Sequence, residues 1–183
     1  MNRSVIAFSV EKGISTLLYR EGITMEQKKL ARWLKTAIIA AGICGIGVYF
    51  YICRFGQFMA ADYIPEASEC LLPWLVLVFL SAVPCYVILI FGWAVATNIG
   101  KGCAFSHANG THVMMISRLF LADALILFLG NIILWLMGFN HPGVVIMLLI
   151  PECLLVAVSG ACAVLSRLIR QAAELKEQND LTI

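Results

Sequence analysis

The chain has 183 residues, 61% of them hydrophobic and 13% charged, with a formal net charge of +2 and a mean hydropathy of +0.90. A water-soluble domain uses about 45–50% apolar and about 25% charged residues, so this composition excludes one. One domain is expected at this length, with no room for a soluble enzyme beside a membrane bundle.

Residues 1–35 read as a cytoplasmic segment rich in bases. Arg20-Glu21-Gly22 is what a purine-rich ribosome-binding sequence would encode in frame, and it lies just ahead of Met25. Residues 1–24 are therefore expected to be a mis-assigned extension, and they lack the apolar run and small-residue cleavage site of a signal peptide. The first span is predicted at about 36–53, where 18 residues without a charge separate Lys35 from Arg54. At 1.5 Å per residue such a helix covers about 27 Å, close to the hydrocarbon thickness of a bilayer. Ala40, Ala41, Gly42, Gly45 and Gly47 would let another helix approach closely, within the bundle or from a second copy of the chain.

A second span is predicted at about 72–97, with Pro84 near its middle as a kink. After Lys101 the polar passage GCAFSHANGTH holds turn glycines and Asn109, and Ser106 is the expected N-cap of the next helix. The third span, about 113–138, carries Arg118, Asp123 and Asn131. Phe139 to Gly143 is a compact turn that makes the third and fourth spans antiparallel neighbours. The fourth, about 144–168, holds Pro151 and Glu152 and continues in register into a polar tail, 169–183.

The fold class is thus all-α, a polytopic membrane protein with four transmembrane helices within 36–168. Lys and Arg set its orientation. The segment to Lys35 has seven, the 98–112 connection one and the tail from Arg167 three; the 54–71 connection has Arg54 against Asp62, Glu66 and Glu69, and the 139–143 turn has none. Positive charge stays inside, so both termini are expected in the cytoplasm. Seven cysteines, mostly within apolar runs, read as small buried residues and not as a disulfide framework.

Asp123 and Glu152 are the first candidates for chemistry, because an ionised carboxylate in mid-membrane costs at least about 2.5–3.5 kcal/mol on insertion scales. Both fall near mid-depth, where they could meet between adjacent helices. One reading is a proton or cation relay or a ligand site. The other is packing, with each carboxyl protonated or satisfied by Arg118, Asn131, Ser159 or a helix carbonyl. Cys103, His107 and His112 are soft donors whose spacing matches no metal signature, so neither metal nor cofactor is expected. No nucleophile elbow, phosphate-cradling loop or zinc-protease motif is present, which argues against an enzyme. The bases sit where topology requires them, so direct nucleic-acid binding is not expected either.

Two stretches carry a family resemblance. Phe91-Gly92-Trp93-Ala94, Thr97 to Gly102 including Gly100 and Lys101, Ala104-Phe105-Ser106 and Asn109 resemble the central motif of a bacterial membrane family, domain of unknown function 2975. The ending Ala173-Glu174-Leu175-Lys176-Glu177-Gln178-Asn179-Asp180-Leu181-Thr182-Ile183 resembles its closing motif, with Gln178 where Glu is expected. The resemblance covers about Met25 to Ile183. It implies four spans in a bacterial cytoplasmic membrane and supplies no biochemical activity. Members are often encoded beside a small helix-turn-helix regulator, which implies a regulatory association. The expected function is accordingly a non-enzymatic regulator or sensor whose cytoplasmic loop and tail engage such a partner. The alternative is a small transporter or immunity protein using the intramembrane carboxyls.

Overall fold

The computed structural model describes residues 3–58 and 68–181. Asp62 and Glu66 of the 54–71 connection, and Thr182 and Ile183 of the closing motif, lie outside the described residues. So do the side chains of Arg3, Lys12, Arg20, Glu69, Asp180 and Leu181. Four helices follow one another: α1 (Arg3–Phe58), α2 (Ser68–Gly100), α3 (His107–Leu136) and α4 (Pro142–Leu181). Each contains a stretch long and apolar enough to cross a bilayer.

The helices overrun the predicted spans, except that α3 ends at Leu136, two residues short of its predicted end. α1 continues through Lys35 without a break, because Glu26, Gln27, Lys28, Lys29, Leu30, Ala31 and Arg32 are all good helix formers and no proline intervenes. α3 starts at His107, ahead of the predicted 113, because Ser106 caps it there: extended backbone (φ −139°, ψ 152°), with its hydroxyl accepting from the Asn109 amide. α2 and α4 run helically through Pro84 and Pro151.

Two helix ends close in the same way. At the end of α2, Cys103 N donates to Asn98 O at 3.0 Å and Gly102 N to Ile99 O at 3.0 Å. At the end of α3, Phe139 N donates to Leu134 O at 2.9 Å and Gly138 N to Trp135 O at 3.0 Å. These are the paired bonds of a Schellman cap, and its left-handed residue is Gly102 in one and Gly138 in the other, both at φ +80°. Pro142 then opens α4, where its missing amide hydrogen costs nothing.

The distribution of side chains is the reverse of a water-soluble protein. Large apolar residues such as Ile43, Phe50, Leu72, Ile90, Leu136 and Ile150 are exposed, while Asn109, Ser117, Asp123, Asn131, Glu152, Ser159 and Ser166 are buried. Hydrocarbon as solvent demands this: apolar surface needs no shelter, and polar groups must find partners within the bundle. Close backbone contacts run from α1 to α2, α2 to α3 and α3 to α4, so among the described residues the bundle is a row left open between α1 and α4.

The α3–α4 seam follows a seven-residue repeat. Gly110, Ser117, Ala124 and Asn131 are buried on α3, and Glu152, Ser159, Ser166 and Ala173 on α4. Running antiparallel, Gly110 meets Ser166, whose hydroxyl donates to the Gly110 carbonyl at 2.6 Å. Seven residues along, the Ser117 hydroxyl donates to Ser159 O and the Ser159 hydroxyl to Ser117 O, each at 2.8 Å. A sustained period of seven keeps one stripe facing its neighbour, and small residues there let the backbones approach. Ser159→Ala removes one bond of this reciprocal pair and should lower stability by about 1 kcal/mol, the scale of interhelical bonds within bilayers. A detergent-unfolding titration of the reconstituted protein checks this.

Candidate functional site

One end of the bundle gathers the start of the α1 span, the α2–α3 connection and the end of α4. Asn109, 1% exposed, organises it. Its side-chain oxygen accepts from Asn98 Nδ2 at 2.8 Å, and its Nδ2 donates to Ala104 O at 3.0 Å and Cys103 O at 3.3 Å. One amide therefore holds the end of α2, the connection and the start of α3 together. Gly100 packs against α1, where an added Cβ would lie 3.1 Å from that of Ala31. Lys101 is exposed and joins Lys28, Arg32 and Lys35 around a cleft of about 430 Å³ between α1 and α2. The Lys35 ammonium also sits 4.9 Å above the Trp93 ring, a cation–π contact between those two helices.

The tail runs beside this connection. Arg170 Nη2 donates to Thr111 Oγ1 at 3.3 Å, and His107 Nε2 lies 3.7 Å from Glu177 Oε1. The latter pair is exposed and contributes little by itself; the buried Ser166–Gly110 bond does the fastening. The seven-residue repeat carries one step further to Ala173, buried at the level of the connection. Glu174 and Asn179 are exposed. Phe105 (61% exposed) in the connection and Leu175 (66%) on the tail are large apolar side chains left uncovered at this end of the bundle. His112 turns away from His107 to pack its ring on Phe91, and among the described residues no three metal-ligating side chains converge.

The two membrane carboxyls are not hydrogen-bonded to each other. Asp123, 1% exposed, faces α2, where Cys85 Sγ donates to its Oδ2 at 3.3 Å. Tyr49 of α1 lies near Cys85 and Ser81 of α2 in the same cluster. Glu152, 5% exposed, lies instead on the α3–α4 side, and among the described residues neither of its oxygens has a hydrogen-bond partner. The groups considered as partners are engaged or turned elsewhere. Arg118 is exposed, Ser159 is tied to Ser117, and Asn131 accepts from Asn140 of the α3–α4 turn.

Sequence reasoning missed Cys85, because a cysteine in an apolar run reads as a small apolar residue. Ser166 and Gly110 did carry a signal, the seven-residue spacing of small and polar residues in both helices.

This architecture defines a multi-pass helical membrane protein with an organised face at one end. The chain belongs to the family described as Protein of unknown function (DUF2975), whose model matches residues 54–183. The match begins at the end of the α1 span, so most of α1 lies ahead of it. No curated protein and no solved structure matches the chain.

Proposed function

We propose that this chain is a regulator or sensor of a bacterial cytoplasmic membrane, not an enzyme, with both termini inside and its organised face engaging a soluble helix-turn-helix transcription regulator. One observation carries the reading: the α2–α3 connection and the α4 tail are fastened to each other, while Phe105 on the one and Leu175 on the other remain exposed. Exposed apolar side chains on a fixed polar scaffold are what a partner's anchors bury. The bases around the neighbouring cleft suit a cytoplasmic placement.

A photo-crosslinking residue at position 105 or 175 in living cells should give an adduct with a soluble protein. Asn109→Ala should abolish the adduct by loosening the scaffold. Adducts with lipid alone, together with unchanged regulator output after deletion of 174–183, would contradict the reading. The transport or immunity alternative draws support from Glu152, whose carboxyl has no hydrogen-bond partner among the described residues. It requires that Glu152→Gln or Asp123→Asn remove flux or resistance, to which a tail-driven regulator is indifferent.

A further inference from the structure

Glu152 lies in a groove of about 370 Å³ between α3 and α4, walled by Leu121, Leu125, Phe128, Leu149 and Val156. Those walls are exposed apolar residues of the membrane-facing surface. The antiparallel register that pairs Ser117 with Ser159 sets Ala124 across from Glu152, and its short side chain leaves the space open. Glu152 is 5% exposed as a residue, and both oxygens of its carboxyl are buried without a hydrogen-bond partner among the described residues. No cationic side chain lines the groove.

An apolar cleft with one buried polar group at its floor has the general form of a small-molecule site. The polar group here is acidic and sits in hydrocarbon, where an isolated negative charge is costly and a neutralising partner is correspondingly favoured. Among the described residues the protein offers no such partner, and the groove above the carboxyl opens on the lipid side. Phe128 adds an aromatic ring to the wall, a further attraction for positive charge. We propose that this groove binds a lipophilic organic cation, its charge paired with Glu152 and its apolar body seated on the leucines and Phe128. The site lies within the membrane, away from Phe105 and Leu175, and does not depend on the partner reading.

Radiolabelled tetraphenylphosphonium is the probe, with the full chain in lipid nanodiscs. Saturable binding above that of empty nanodiscs is expected, displaced by unlabelled cation but not by its uncharged counterpart tetraphenylsilane. Glu152→Gln should weaken binding at least tenfold, while Asp123→Asn, whose carboxyl faces α2, should retain it. A measurement on the unaltered protein guards against a folding defect. The cation should protect Glu152 from labelling by dicyclohexylcarbodiimide, read by peptide mass spectrometry. The proposal is overturned by absence of saturable binding, by equal competition from tetraphenylsilane, by binding unchanged in Glu152→Gln, or by labelling of Glu152 that the cation does not slow. Loss of crosslinks at 105 and 175 would leave it standing, since those report the other face.

Discussion

Asn109→Ala is expected to unfasten the α2–α3 connection while leaving the four spans in place. The side chain is almost fully buried and serves Asn98, Cys103 and Ala104 at once. Its loss strands an amide and two carbonyls that the Schellman cap of α2 does not reach. Stranding buried polar groups costs about 1–3 kcal/mol each, so even with partial access to water a loss on the order of 2–3 kcal/mol is expected locally. Amide hydrogen exchange across 99–108 should accelerate at least tenfold, with exchange in the middle of α2 and α3 unchanged. Asn109→Asp should fare as badly, because it keeps the acceptor for Asn98 but turns an oxygen toward the two carbonyls. Wild-type exchange in either variant would show that the amide does not shape the connection.

Gly110→Val is expected to part the ends of α3 and α4. A Cβ at this position would lie 2.6 Å from Arg170 Cγ and 3.3 Å from the Ser166 carbonyl oxygen. The arginine can swing aside, so Gly110→Ala should be partly tolerated. The Ser166 carbonyl belongs to the α4 backbone and cannot move without the helix, and a branched side chain meets it directly. Overpacking of this kind costs about 1–3 kcal/mol, and here it also breaks the Ser166–Gly110 bond. The detergent-unfolding midpoint should fall for Val well below that for Ala. Adding Arg170→Ala should rescue much of the Ala defect and little of the Val defect, a non-additivity that identifies the clashing group. Equal midpoints for all four variants would mean that the helices are not in close contact there.

The spans were legible because hydrocarbon imposes a length and an apolar content that no other environment does. Ser106 as a cap and the turn before Gly143 were legible for local reasons of backbone chemistry. The course of α1 through Lys35 was not, because a change from apolar to basic residues marks the membrane boundary and not the end of a helix. The facing of Asp123 toward Cys85 and of Glu152 toward the groove was not legible either. Depth can be counted along a sequence, but azimuth depends on which stripe each helix presents to its neighbour. In α3 and α4 that stripe is written in the spacing of Gly110, Ser117, Ala124 and Asn131 and of Glu152, Ser159, Ser166 and Ala173. It passes unnoticed when polar residues are weighed one at a time. Asn109 shows the same limit. The motif pointed to the connection, and only the fold reveals that its asparagine faces inward while Phe105 faces out.

Everything proposed for the organised face requires it to lie in the cytoplasm. Cys103 is exposed on that face, in the α2–α3 connection, and a variant retaining it as the sole cysteine reports directly. A membrane-impermeant maleimide should label Cys103 in inside-out vesicles and leave it unlabelled in intact cells until the membrane is permeabilised. Labelling of Cys103 from the outside of intact cells would contradict the account.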